Sequence, residues 1–244
     1  MAAGTARLRE LIARGRGVAA LTGAGISAES GVPTFRSRGG FWESESVEDL
    51  ATPAGFQRDP GRVWNWYEAR RRQVAACAPN AGHLALARYE RRHPDFTLVT
   101  QNVDGLHRLA GSRNVLALHG DLFRVRCTRE GTAREDRRIP LPEIPPRCEC
   151  GALLRPDVVW FGEPLPEREM AAAESAARQA ELFFVIGTSA LVYPAAGLPL
   201  LARERGAYLV ELNVEATPLT ALTDETIRGP AAVVLPDLLG APDD

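Results

Sequence analysis

No lysine occurs anywhere in the 244 residues, so all 29 basic side chains are arginine. With no ε-amino group to offer, the chain cannot be regulated by acylation of its own lysines; the usage itself reads as a genome-composition bias. Cysteine is scarce as well. Its four residues, Cys77, Cys127, Cys148 and Cys150, are too few to staple a chain of this size, which excludes the disulfide-rich secreted scaffolds. Three of them fall between residues 127 and 150, a clustering that suits a metal site better. Long apolar runs are missing too, and none approaches the roughly 20 residues of a membrane-crossing helix. The opening "MAAGTARLRELIARGRG" carries arginines but no apolar stretch of signal-peptide length, so the expectation is a cytoplasmic protein. Neither sign of charge dominates. A formal net charge of −2, with pieces such as "RRRQ" and "REDRR" set among acids, argues against a general nucleic-acid binder.

What is present is ordinary globular composition, 45% hydrophobic and 25% charged, enough for a sizeable core. The length allows one large domain, or one domain with a small inserted module. Continuous apolar runs, "GVAALTG", "FTLVTQN" (96–102), "NVLALHG" (114–120), "LFFVIGTSA" (182–190) and "AYLVELNVE" (207–215), each end in polar residues or glycine. They alternate with helical patterns such as "ARLRELIARG", "AGHLALARYERR" and "PEREMAAAESAARQ". Strands of this kind between helices predict an α/β fold, a Rossmann-like doubly wound parallel sheet whose ligands bind beyond the strand C-termini. Between about 121 and 157 the pattern breaks into proline, arginine and cysteine. That segment reads as a small inserted module within a single domain spanning 1–244, built together with part of the 38–80 helical region.

"LTGAGISAESG" puts Gly23 and Gly25 after a strand and Ala28 in the third small position, which lets backbone approach a pyrophosphate at a helix N-terminus. Packing alone is the other reading of such a turn. The acidic residue expected about 20 positions later in a dehydrogenase is absent. "GVPTFRSRGG", with Phe35 and Arg36, stands there instead, so this is not a standard dehydrogenase. "TQNVDGLH" gathers Gln101, Asn102, Asp104 and His107 beyond one strand, and "LHGDL" puts His119 and Gly120 beyond the next. Amide, carboxylate and histidine on neighbouring strand ends can orient a ribose or carboxamide and move a proton. They can equally be caps and turn formers.

In kind and in order, "GAGISAESGVPTFR", "TQNVDGLH", "HG", "RPDVVWFGE", "GTSALVYPAA" and "ELNVE" closely resemble the signature set of the sirtuins, NAD-dependent protein lysine deacylases. The match runs from about residue 17 to 236. The resemblance implies that Gly23, Ala24, Gly25, Ser27, Ala28 and Glu29, with the loop through Pro33, Thr34, Phe35 and Arg36, hold the diphosphate and nicotinamide end of NAD. Gln101, Asn102 and Asp104 would bind the nicotinamide and its ribose, and Gly187, Thr188, Ser189, Asn213, Glu215 and Ala231 the adenosine half. His119 would be the general base. Val159, Trp160, Phe161 and Gly162 would grip the substrate backbone and acyl-lysine stem by strand addition. The implied chemistry consumes NAD: the acyl oxygen attacks the nicotinamide ribose carbon, nicotinamide leaves, and His119 accepts a ribose hydroxyl proton on the way to free lysine and O-acyl-ADP-ribose. Partners would be acylated-lysine proteins or peptides, with no nucleic acid and no membrane, and a monomer is expected. The rivals are a protein mono-ADP-ribosyltransferase, which shares the NAD site, and a non-catalytic NAD-sensing or zinc-module binding protein.

"RVWNWYEARRRQ" (62–73) sets Tyr67 and Arg70 on one helix face. Read alone, this is an amphipathic surface helix with Glu68 pairing to its arginines. At "WYEAR" the chain resembles the sirtuin subgroup whose Tyr-x-x-Arg pair faces the acyl pocket and prefers succinyl and related acidic groups. A guanidinium takes a carboxylate in a bidentate grip, and a phenol adds a third hydrogen bond. Desuccinylation is therefore expected beside or above deacetylation. Sirtuins also carry two cysteine pairs for a structural zinc, so the resemblance implies that 121–157 is a zinc-ribbon-like insertion within a single sirtuin catalytic domain, 1–244. Here "RCECG" keeps Cys148 and Cys150, while "RCTREG" keeps Cys127 and places Glu130 where the second cysteine should be. Three possibilities stay open: a Cys-Cys-Cys-Glu zinc site, a weak site completed by water, or a module held by packing without metal. Cys77 is expected to be a thiol with no role.

Overall fold

The computed structural model describes residues 4–33 and 47–240. Along the chain the strands are β1 (Val18–Thr22), β2 (Thr97–Thr100), β3 (Val115–Ala117), β4 (Gly120–Cys127), β5 (Ala133–Glu135), β6 (Leu154–Val158), β7 (Leu182–Ile186), β8 (Tyr208–Asn213) and β9 (Glu225–Arg228). The helices are α1 (Ala6–Arg14), α2 (Val47–Leu50), α3 (Pro53–Arg58), α4 (Pro60–Ala75), α5 (Ala81–Arg92), α6 (Leu106–Leu109), α7 (Glu167–Gln179), α8 (Leu198–Glu204) and α9 (Ala231–Leu239).

Six strands form one parallel sheet in the order β3-β2-β1-β7-β8-β9. The chain runs outward from β1 to β3, then returns to lay β7 against the other side of β1. Strand order reverses there, and a crevice opens above the strand ends. β1 and β7 are buried at every position, as strands covered on both faces must be. Alternate residues serve opposite faces. Ala20, Leu98 and Phe184 meet α1, α5 and α9 through Leu8, Tyr89 and Leu235. Leu21, Val99 and Phe183 meet α7 and α8 through Ala173, Ala177 and Leu198.

A second sheet is antiparallel, in the order β5-β4-β6. It shares a separate apolar core with α3 and α4, where Phe56, Val63, Trp64 and Val74 pack with Val125, Leu154 and Val158. Trp64 is fully buried and its indole N–H donates to the Leu154 carbonyl at 2.7 Å. α4 begins where Asp59 accepts a bond from the Arg62 N–H and Pro60 takes the first turn.

The expected α/β architecture is present, with two local differences. The helix expected after the glycine turn is a 3₁₀ stretch, Ala24–Ser30. β9 was not foreseen, because "ETIR" is a short polar edge strand with no apolar run to announce it. Among the described residues no helix is long and apolar enough to cross a membrane.

Candidate active site

A cleft of about 870 Å³ lies between the C-terminal edge of the parallel sheet and the small sheet. The strand ends supply Gly23, Ala24 and Gly25 after β1, Gln101 and Asn102 after β2, His119 after β3, Gly187, Thr188 and Ser189 after β7, and Asn213 and Glu215 at and after β8. From the opposite wall come Val159, Trp160, Phe161 and Gly162 after β6, and Tyr67 and Arg70 from α4. Ser27 and Asp104 lie behind the lining, Ser27 hydrogen-bonded both to Asn102 of the lining and to Asp104. Ala28, Glu29, Pro33 and Ala231 stand outside the lining, with Glu29 accepting instead from the Ala232 N–H at the start of α9. Thr34, Phe35 and Arg36 lie outside the described residues.

Glycine is required where β1 and β7 end. A Cβ on Gly25 would stand 2.7 Å from the Gly187 backbone, and one on Gly187, whose φ is +57°, would stand 2.5 Å from the Ile26 nitrogen. The Gly23 and Gly25 N–H groups donate to the Ile186 and Gly187 carbonyls at 3.0 and 2.8 Å. Packing thus accounts for these glycines, and it also leaves the strand ends bare of side chains where the cleft begins.

Beneath that floor runs a buried polar network. Asn102 Nδ2 donates to the Gly23 carbonyl at 3.0 Å and to Ser27 Oγ at 3.3 Å, and the Ser27 hydroxyl donates to Asp104 at 2.7 Å. Burial pushes the Asp104 carboxyl above its usual range, and the bonds from Leu106 N–H and Ser27 pull it part of the way back. Behind Ser27 stands His83, a residue the sequence reading passed over. Its Nδ1 accepts from the Asn80 N–H, so its proton sits on Nε2, 3.3 Å from Ser27 Oγ. Complete burial lowers its pKa to about 4, so the ring is neutral. A lone histidine in the first turn of α5 carries no local signal of this; only the fold brings it beneath the cleft. His107 is likewise buried, with Nε2 2.9 Å from the Thr22 hydroxyl, and belongs to the floor and not the lining.

His119 is different: half-buried, it faces the cleft. Its Nδ1 lies 2.9 Å from the Gln101 carbonyl, which can only accept, so Nδ1 carries the proton and Nε2 keeps a bare lone pair. Burial draws the pKa below 6.5, partly opposed by the Gln101 bond. A neutral imidazole with an exposed lone pair is a ready general base. Nearby, Gln101 Nε2 donates to the Thr188 hydroxyl and Asn213 Nδ2 to the Thr188 carbonyl, both at 2.9 Å, which ties the ends of β2, β7 and β8 together.

The three consecutive arginines of α4 go three ways, as about 100° per residue requires. Arg70 reaches the cleft beside Tyr67, its guanidinium 3.7 Å from the centre of the Trp66 ring. Arg71 is fully buried and caps three carbonyls, donating to Leu122 at 2.7 Å, Asp136 at 2.7 Å and Arg138 at 2.9 Å. Arg72 is 58% exposed and pairs with Glu68. Arg72 fits the surface-helix reading and the fully buried Arg71 does not.

Comparison with known proteins agrees with this geometry. The Sir2 family model matches residues 23–194. The chain belongs to the Sir2 family. An NAD-dependent protein deacylase of Aquifex aeolicus is 51% identical over 219 residues, covering 89% of this chain and 92% of that one. A protein of the same description from Thermococcus kodakarensis is 49% identical over 237 residues, covering 94% and 92%. A solved Sir2 homologue in complex with NAD has a TM-score of 0.90 at 45% identity, covering 98% of this chain and 93% of that one. A Sir2 protein in complex with a deacetylated p53 peptide and 3′-O-acetyl-ADP-ribose has a TM-score of 0.87 at 30% identity, covering 96% of each.

This Sir2-family chain holds a second cluster in its small sheet. The ligand atoms of Cys127, Glu130, Cys148 and Cys150 all lie within 4.8 Å of one another. Cys127 and Cys150 sulfurs are 3.6 Å apart, and Cys148 sulfur is 3.8 Å from a Glu130 carboxylate oxygen. Zinc bonds of about 2.3 Å to sulfur in a tetrahedron set sulfurs about 3.8 Å apart. The donor set therefore fits a zinc ion, with Glu130 in the fourth position. Cys77 lies apart, its thiol raised by partial burial.

Proposed function

We propose that this Sir2-family protein is an NAD-dependent protein-lysine deacylase that removes succinyl and acetyl groups from lysine side chains, giving nicotinamide and O-acyl-ADP-ribose. The observation that carries the reading is His119, whose unprotonated Nε2 opens into one cleft shared by the glycine-floored strand ends and the Val159–Gly162 segment. When bound, NAD supplies a ribose carbon that loses nicotinamide readily. Gln101 and Asn102 would hold that end from the lining, with Ser27 and Asp104 behind them: Ser27 accepts from Asn102 and donates to Asp104. Thr188, Ser189 and Asn213 take the adenosine half. His119 accepts the proton of a ribose hydroxyl, and Val159 to Gly162 present backbone to the substrate peptide.

At the acyl end, Tyr67 and Arg70 recognise a carboxylate. Desolvation by burial is the main influence on the Tyr67 phenol and holds it above its usual range, so it stays a hydroxyl donor. A neutral acetyl group offers this pair no carboxylate, so the two acyl groups differ by the charge-assisted hydrogen bonds that only the acidic one can make. Cys127, Cys148, Cys150 and Glu130 would hold a structural zinc, which would brace the small sheet. The whole chain acts as one catalytic unit with 121–157 as its insertion, since Leu122 of that segment lines the cleft together with the ends of the parallel strands. Four thiols without disulfides and the consumption of NAD favour the cytoplasm.

The test is kcat/KM with NAD on two peptides that differ only in carrying succinyl-lysine or acetyl-lysine, read by mass spectrometry. A clear succinyl preference is expected, and a clear acetyl preference would remove Tyr67 and Arg70 from acyl recognition. Label from ADP-ribose should leave on a released acyl ester; label retained on protein would establish ADP-ribosylation instead.

A further inference from the structure

Trp160 is expected from its motif to touch the substrate, yet its indole edge turns away into the wall. It is 3% exposed, and its Nε1–H donates to the Tyr67 hydroxyl at 2.9 Å. The Arg155 guanidinium carbon lies 3.5 Å from the centre of the indole ring, and Phe56 flanks the ring at 5.2 Å between centroids. Arg155 is in turn clamped. Its two terminal nitrogens donate to the two oxygens of Glu163 at 2.5 and 2.8 Å, and one of them also donates to the Val158 carbonyl at 2.9 Å. Glu163 closes the ring by accepting the Trp160 backbone N–H at 2.9 Å. Desolvation works against its charge, but the bonds from Arg155 and Trp160 prevail and hold its carboxyl below the usual range.

The chemistry of this chain is directional. An indole N–H can only donate, so the Tyr67 oxygen is the acceptor in that bond. The phenol has one hydrogen of its own, and with Trp160 occupying an oxygen lone pair, that hydrogen is left to point elsewhere, at an acceptor in the cleft that Tyr67 lines. Glu163 also neutralises Arg155, so the clamp adds no net positive charge beside the acyl group and leaves the electrostatic reading to Arg70. We propose that Trp160 is a positioning residue for acyl selectivity, held by the Arg155–Glu163 clamp, which fixes the Tyr67 hydroxyl as a donor to an acidic acyl group. This rests on the reading of Tyr67 and Arg70 as the acyl-recognising pair.

The test uses the full chain with saturating NAD and the two peptides above. Trp160→Phe removes the donor and keeps an aromatic ring under Arg155. It should cut the succinyl-to-acetyl ratio of kcat/KM by about fivefold, in the range for one hydrogen bond, through a higher KM for the succinyl peptide with kcat nearly unchanged. Tyr67→Phe should lower the same ratio, and the double variant should be no worse than Tyr67→Phe alone, because both changes break one unit. Glu163→Gln, which loosens the clamp without touching the indole, should lower the ratio about two- to threefold and keeps the idea testable if Trp160→Phe fails to fold. If Tyr67→Phe leaves the ratio unchanged, the acyl-pocket reading itself fails. If Tyr67→Phe lowers the ratio while Trp160→Phe and Glu163→Gln do not, the pocket reading stands and the positioning role is overturned. Equal losses on both peptides would also overturn it, since that is what mere structural support produces.

Discussion

At the scale of single residues, the function turns on which atoms keep a proton and which have lost one. His119 holds its hydrogen on Nδ1 against a carbonyl and offers Nε2 to the cleft. His119→Tyr should therefore abolish turnover, by about a hundredfold or more, while calorimetric NAD binding stays close to the parent's. Full activity would exclude His119 as the base. Its pKa is drawn below 6.5 by burial, and only the neutral ring can accept a proton. The acid limb of kcat/KM should accordingly rise with pH through a midpoint below 6.5 and be flat, for this group, at neutral pH. Arg70→Met should depress desuccinylation at least about tenfold, the scale of a charge-assisted hydrogen bond, and deacetylation about twofold or less. Much of this was legible in the sequence, because glycine, asparagine and histidine at strand ends announce themselves by position. Arg71 was not. Its carbonyl partners Leu122, Asp136 and Arg138 lie 51 to 67 positions away, and no local spacing reports a contact of that separation.

At the scale of elements, the β1 turn, the start of α5 and the loop after β2 are joined by one buried polar network. Asn80 caps α5 and also sets the tautomer of His83, so a helix end and the floor of the cleft depend on one residue. The network gives folding a pH dependence of definite sign. His83 binds its proton more weakly folded than unfolded, so between about pH 6.5 and about pH 4 the unfolded chain carries more protons. This contribution to stability is complete above about pH 6.5 and is lost as pH falls, by on the order of 3 kcal/mol once pH is below about 4. His107, lowered in the same direction by burial, acts alongside it. Urea midpoints measured from pH 7 to pH 4 should fall steadily, and His83→Gln should flatten part of that slope; an unchanged slope would mean His83 is not neutral in the folded chain. The main strands and helices could be read from apolar periodicity, while β9 and the 3₁₀ stretch could not, since an edge strand needs no apolar run and the glycine turn is shaped by its contact with β7.

At the scale of the whole molecule, two cores of different character face each other across the cleft: a parallel sheet wrapped in helices, and a small antiparallel sheet leaning on α4. The Rossmann-like half was legible because its strands are buried on both faces and read as continuous apolar runs. The small half was legible mainly as an interruption, because its order rests on long-range pairings and on four side chains that converge only in three dimensions. If zinc binds there, one equivalent should copurify, and Glu130→Ala should weaken its retention against a chelator at least about tenfold, with Glu130→Cys strengthening it. Equal retention in all three would leave the carboxylate out of the site. The facing walls also have an optical consequence. Trp66 and Trp160 border the cleft, each beneath a guanidinium, while Trp64 is sealed in the core of the small half. Of the four tryptophans, these three lie among the described residues, and a peptide entering the acyl end changes the surroundings of two of them while Trp64 keeps its sealed core, so occupancy should be readable as a change in emission with no dye attached.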